Sequence, residues 1–213
     1  TYIATLMNES LITRGRNDLA RMFLERDADY LMFIDADITF PKDAIPALLL
    51  ADKDVVCGVY SKKEISWDSV SKAAKAGKDN LVDYSGSFVF NMIEAQGEHA
   101  EVDDSGVIEV RHGGTGFMLI KRSVLEKLKD HVPTYRRTSF RDQETGEYIH
   151  PVTHQFFDTS IDSTGALLSE DYHFCELWRK HGGQVYAHPT IKLDHTGTYV
   201  FGGDLMKSGG QLA

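Results

Sequence analysis

The chain has 213 residues, 42% of them apolar and 26% charged, enough for one α/β domain or a pair of subdomains with a well-buried core. It carries 32 acidic residues against 23 Lys and Arg, a formal net charge of -9, and no Lys/Arg-rich run. Such a surface repels phosphate backbones and argues against nucleic acid as a partner. No apolar run approaches membrane-spanning length, and the first residues show no signal-peptide pattern. Cys57 and Cys175 lie in apolar contexts without metal-ligand spacing, as expected of reduced buried thiols in a cytoplasmic protein.

The chain opens on Thr1 and passes directly into a strand pattern at Tyr2–Met7, the expectation for a domain excised from a longer protein. Polar residues follow, then a helix on which Leu19, Met22, Phe23 and Arg26 recur at helical spacing. Tyr30–Ile34 is a short apolar run, read as a buried strand of a parallel sheet. Pro41 sits near a helix start, and Asp43–Leu50 continues as an apolar-faced helix. Val55–Tyr60 reads as a further buried strand. This alternation predicts an α/β fold with a mostly parallel, Rossmann-like central sheet flanked by helices.

Residues 61–110 are more polar, and Gly77, Gly86, Gly97 and Gly106 punctuate what read as short strands and turns. Gly113–Ile120 is a glycine-rich turn entering an apolar strand, and Arg122–Leu128 is a short helix. Residues 133–168 form a long polar stretch with little periodicity, and loops that long inside a compact domain are usually functional or mobile; beside the resemblance named below it is read as an acceptor-binding loop. Glu170–His181 is a helix ended by Gly182 and Gly183. Gln184–Ala187 and Ile191–Leu193 read as two short strands, and His195 begins a glycine-rich tail.

The most pointed feature is Asp35-Ala36-Asp37, directly after the apolar strand. Side chains two apart on extended chain face the same way, so both carboxylates can reach one point. Two such anions repel by about 4 kcal/mol at an intermediate effective dielectric. A divalent cation removes that cost, and hard carboxylate oxygens suit Mn²⁺ or Mg²⁺, which in turn can hold a diphosphate. The plain alternative is a strand-end turn in which Asp35 caps the next segment. Ser169-Glu170-Asp171 opens the helix at 170–181, where capping and the helix dipole are the ordinary explanation of acidic residues and, for this segment alone, the preferred one. His195 follows a predicted strand and is a candidate metal ligand. Lys62, Lys63 and Lys207 are the basic residues available to a diphosphate, although a solvated surface charge explains each. His150, His154 and Asp158 sit on the irregular polar stretch. Trp67, Tyr135, Phe156 and Phe157 suit sugar stacking or core packing alike.

These segments together resemble the GT-A glycosyltransferases, in particular their family-2-like branch. The resemblance covers most of the chain: the βα start, Asp35-Ala36-Asp37, Gly113-Gly114-Thr115-Gly116-Phe117, Ser169-Glu170-Asp171 with Trp178-Arg179 and Gly182-Gly183, and His195 with Gly197. The overall look is similar to that of a virus- or phage-encoded member acting on a capsid glycoprotein, which would place it in the host cytoplasm. The resemblance implies one GT-A domain over 1–213, with a nucleotide-sugar half at 1–110 and a smaller mixed acceptor half at 111–213. It implies that Asp37 and His195 bind Mn²⁺ or Mg²⁺, and that Asp35 contacts the ribose or the metal. Thr5, Leu6 and Met7 would cradle the base, and Arg16, Asn17, Ala36 and Gly114 would help hold the donor. Asp171 would be the general base, supported by Glu170. The implied substrates are a UDP- or dTDP-hexose and an acceptor hydroxyl on a glycan or glycoprotein, with inversion at the anomeric carbon.

Three rivals stand beside this reading. A haloacid-dehalogenase-type phosphohydrolase also places Asp-x-Asp after an apolar strand, but that fold opens with this strand, whereas here a strand and helix precede it. A sugar nucleotidyltransferase would need a glycine-rich basic loop that residues 1–16 lack. A carbohydrate-binding domain that kept the fold and lost turnover is the non-enzymatic rival.

Overall fold

The computed structural model describes residues 1–93, 101–142, 144–204 and 206; Gly97 and Lys207 lie outside the described residues. In chain order the elements are helix α1 (Ile12–Leu24), strands β1 (Tyr30–Ile34) and β2 (Ile38–Thr39), helix α2 (Ala44–Leu50), strand β3 (Val55–Tyr60) and helix α3 (Trp67–Lys75). A 3-10 turn at Leu81–Tyr84 leads to strands β4 (Phe90–Asn91), β5 (Ile108–Val110), β6 (His112–Gly113) and β7 (Phe117–Lys121). Helix α4 (Arg122–Leu128) precedes short strands β8 (Thr134–Arg136), β9 (Phe140–Arg141), β10 (Tyr148–Ile149), β11 (Val152–His154), β12 (Ser160–Ile161) and β13 (Leu167–Leu168). Helix α5 (Glu170–Lys180) and strands β14 (Val185–Thr196) and β15 (Val200–Phe201) follow. The chain forms two compact units, one from residues 1–31 and 121–181, the other from residues 32–120 and from 182 onward.

The second unit is built on a sheet of order β1-β7-β3-β14-β15, with β2 and β5 also paired to β14. Only β3 and β14 are seen to run parallel among the described ladders, with Tyr186 opposite Val56 and Ala187 opposite Cys57. β7 lies antiparallel on β3, and β5, β2 and β15 lie antiparallel on β14. The expected mostly parallel, Rossmann-like sheet is therefore corrected to a mixed α/β arrangement with a mostly antiparallel sheet. All six residues of β3 are buried. An apolar run records that both faces of a strand are covered, and direction leaves no such trace.

β14 replaces the two short predicted strands and absorbs the start of the predicted tail. Its register against β3 slips between His188 and Leu193, so that β14 advances five residues while β3 advances two, from Gly58 to Tyr60. Pro189 falls in this irregularity, where a missing N–H costs no ladder bond.

The predicted first strand does not form. Tyr2–Met7 is irregular chain, with the Tyr2, Ile3 and Met7 side chains exposed. Alternating β-formers give a strand only when a neighbour supplies the ladder. The helix α3 inside residues 61–110 is the converse miss. Trp67, Val70, Ala73 and Ala74 recur on it at helical spacing, although only Ala73 is buried, and its end signals are local ones. Ser66 accepts a bond from the Ser69 N–H at its start, Asp68 sits in the first turn, and Lys72 and Lys75 in the last.

In the first unit, α4 and α5 bury Val124, Leu125, Leu128, Phe174, Cys175 and Trp178, and Phe157 stacks on Phe174 at 4.6 Å. Arg122 closes the end of α1: its guanidinium donates to the carbonyls of Ala28 (2.7 Å) and Phe23 (3.1 Å). The polar stretch at 133–168 is a set of hairpins, β8/β11, β9/β10 and β12/β13. Two of their loops share one device. Asp142 Oδ1 accepts from the Glu144 and Thr145 N–H groups, and Asp162 Oδ1 from those of Thr164 and Ala166. Cys57 and Cys175 are both buried thiols.

Candidate functional site

The loop Asp35-Ala36-Asp37 joins β1 to β2 and is held at both ends. The Asp35 N–H donates to the Gly116 carbonyl (2.9 Å), and the Asp35 carbonyl accepts from Ile38 N–H (3.1 Å). The Thr196 N–H donates to the Asp37 carbonyl (2.7 Å). The β2/β14 ladder sets His195 opposite Ile38, the residue after Asp37. Three motifs far apart in sequence, at 35–37, 113–117 and 195, are thus tied together by backbone hydrogen bonds in one unit.

At this loop His195 Nε2 stands 3.5 Å from Asp37 Oδ2. His195 Nδ1 lies 2.9 Å from the Ser61 carbonyl, which accepts only, so Nδ1 is the protonated nitrogen. With Nδ1 so engaged, Nε2 is the ring nitrogen that faces the carboxylate, and a backbone carbonyl orients the ring as it does in many metal-bound histidines. Lys63 Nζ also contacts Asp37 Oδ2, at 2.5 Å. Burial acts to raise the Asp37 carboxyl, but the Lys63 hydrogen bond and the His195 and Lys63 charges outweigh it and hold the group below the ordinary aspartate range.

Tyr60 organises the far side of His195. Its ring meets the imidazole edge-on at 5.3 Å, and its hydroxyl accepts from the Gly116 N–H at 3.2 Å. A Cβ at Gly114 would lie 2.2 Å from that hydroxyl oxygen and 2.8 Å from Val89 Cγ1. The glycine turn therefore lets the backbone close on Tyr60. Tyr60 and Ser61 were missed by sequence reasoning; their only signal was their place at the end of a buried strand. Lys63 was legible as a lysine available to a diphosphate or as a surface charge, with no sign of its pairing to Asp37.

Among the described residues no group of three or more His, Cys, Asp or Glu is placed to hold a metal ion. Asp37 and His195 are brought together, and Asp35 contributes its backbone to the loop. Two protein donors are in keeping with a Mg²⁺- or Mn²⁺-type ion that keeps waters and takes its remaining oxygens from substrate phosphates. Ala36 is exposed at the turn.

The remaining predicted residues lie in the first unit. Thr5, Leu6 and Met7 are on the irregular N-terminal chain. Asn17 is buried, and its amide donates to the Phe157 carbonyl (2.8 Å) and accepts from the Phe157 N–H (2.9 Å). Arg16 is buried with its Nε 3.8 Å from Glu170 Oε1, which unites two predicted residues from opposite ends of the chain. Ser169 has the backbone of a helix cap, but its hydroxyl donates to Asp171 Oδ1. Asp171 Oδ1 also accepts from the Tyr172 N–H at 2.8 Å. His150, His154 and Asp158 are engaged separately, with the Arg137 carbonyl, the Phe156 ring and Gln155. Phe156 and Phe157 are core residues, and Trp67 is exposed on α3.

No protein-family model and no curated protein matches the chain. Among solved structures it is similar to A197 from STIV, with 22% identity over 90% of this chain and 71% of that chain and a TM-score of 0.46. That similarity is too slight to carry a function. No described helix is long and apolar enough to cross a membrane.

Proposed function

We propose that the chain is a cation-dependent glycosyltransferase of the GT-A type, moving a hexose from a UDP or dTDP donor to an acceptor hydroxyl on a glycan or glycoprotein. The observation that carries this reading is the Asp37–His195 pair at 3.5 Å, with the imidazole tautomer fixed by Ser61. Mn²⁺ or Mg²⁺ bound there would neutralise charge on a departing diphosphate. Asp37 would supply the hard anionic oxygen and His195 an imidazole nitrogen, and the Asp35 backbone anchors the loop that carries Asp37. By the resemblance alone, Asp171 would be the general base, with Glu170 in support. A base of this kind is worth ~10²–10⁴ in rate, and direct displacement assisted by it inverts the anomeric carbon. The finer identity, a virus-encoded member acting on capsid glycans, rests on the sequence resemblance alone.

Calorimetric titration of UDP and dTDP, with and without Mn²⁺, tests the site. Nucleotide binding that requires the cation and is lost in Asp37→Ala supports it; nucleotide binding in neither condition overturns it and favours a phosphohydrolase. Transfer from a panel of nucleotide sugars then tests turnover. Undiminished transfer by Asp171→Asn removes that residue as the base, and cation-dependent binding without transfer from any donor points to a carbohydrate-binding domain.

A further inference from the structure

Asp37 Oδ2 is asked to do two things at once. The same oxygen that faces His195 Nε2 at 3.5 Å holds Lys63 Nζ at 2.5 Å. A second cation on that oxygen would meet the ammonium at close range, and like charges so placed repel. Lys63 is not locked there. Its side chain is 40% exposed and that of Asp37 39% exposed, and a solvent-accessible pair of this kind shifts an equilibrium by at most about five-fold. The backbone beneath it is fixed, since the Lys62 N–H donates to the Ser87 carbonyl (2.7 Å) and Ser61 bridges to Phe88. A tethered ammonium on a flexible stem can thus leave Asp37 without disturbing the strand end that carries it.

We infer that Lys63 is an internal counter-cation of this site, which neutralises Asp37 while no divalent ion is bound and transfers to the diphosphate of the donor when one is. This inference rests on the reading of Asp37 and His195 as a cation site, and it adds the exchange. Asp37 thereby avoids carrying an uncompensated charge in the resting protein, and the released ammonium becomes a phosphate donor, a role that Lys fills as a point charge.

The test uses Mn²⁺ alone, followed by electron paramagnetic resonance, and then UDP titrated calorimetrically at saturating Mn²⁺. Lys63→Met should bind Mn²⁺ about three- to five-fold more tightly than the wild type, because the competitor is gone. It should bind UDP in the presence of Mn²⁺ about ten-fold more weakly, having lost a charge-assisted bond. Lys63→Arg keeps the charge and should leave Mn²⁺ affinity within two-fold of wild type. Unchanged or weaker Mn²⁺ binding by Lys63→Met, or tightening in Lys63→Arg to the same degree, overturns the exchange. Asp37→Ala separates the two failures: Mn²⁺ binding equal to wild type in that variant overturns the cation site itself, whereas loss of binding there with no effect of Lys63→Met overturns only the exchange.

Discussion

Asp18 and Asp37 each face a cation across less than 3 Å, yet the two carboxylates live in opposite circumstances. Asp18, on α1, is fully buried and receives Arg137 Nε at 2.8 Å, with Glu9 also reaching that guanidinium at 3.2 Å. Asp37 and Lys63 are both more than a third exposed. Burial pushes the Asp18 carboxyl up, and Arg137 and Arg21 offset this only in part, whereas Lys63 and His195 hold the Asp37 carboxyl down. A buried pair is expensive to break and so fixes a fold. An exposed pair exchanges partners at little cost, which is what a site that must accept and release a charged ligand needs.

The widest gap between the regions should come from truncating each acid. Asp18→Ala strands Arg137 with Glu9 alone and should cost about 3 kcal/mol in urea unfolding, while Asp37→Ala should cost under about 1 kcal/mol. Equal losses would erase the distinction. Asn17→Ala should come next, at about 2 kcal/mol, since it removes two buried hydrogen bonds to the Phe157 backbone. Gly114→Ala sharpens the contrast differently. Its added methyl would drive the Tyr60 hydroxyl away for about 1–2 kcal/mol of thermal stability, and cation-dependent nucleotide binding should fall further than that loss explains, because Tyr60 backs His195.

The smallest effect is in acid, and its sign differs between the two groups. A lowered carboxyl such as Asp37 contributes stability that is present above the ordinary aspartate value near 4 and is lost as pH falls through the lowered folded value. A raised one such as Asp18 contributes stability that is present below that value and is lost as pH rises through the raised folded value. Denaturant midpoints measured from pH 3 to 7 on wild type, Asp37→Asn and Asp18→Asn should therefore diverge in opposite directions, with the Asp37 difference below about 1 kcal/mol.

Much of the fold was legible where burial and local chemistry coincide. β3 and α4 lie on their predicted residues, and α2 and α5 differ from prediction by one residue at an end; β1 also has its predicted bounds, but of the strand expected to be buried only Phe33 is. What failed was pairing. Tyr2–Met7 has strand composition and no ladder, and the direction of β7 on β3 is invisible in its apolar run. The site shows the same division. Asp37 and His195 announced themselves by position at strand ends, but Ser61 acts through its carbonyl, which every residue has, so no residue type could mark it. Lys63 was read as available to a diphosphate or as a solvated charge, and nothing linked it to Asp37, 26 residues away in sequence.

The slip in β14 has a consequence for how this architecture could change over generations. His195 stands beside Asp37 because the chain between His188 and Leu193 takes up a fixed surplus over β3. Side chains alternate faces along a strand, so deleting one residue there would turn the imidazole to the opposite side of the sheet while leaving every site residue in the sequence. Descendants of one ancestor could thus differ, through a length change alone, in which side of the sheet the imidazole faces, and comparing residue identities would give no sign of it.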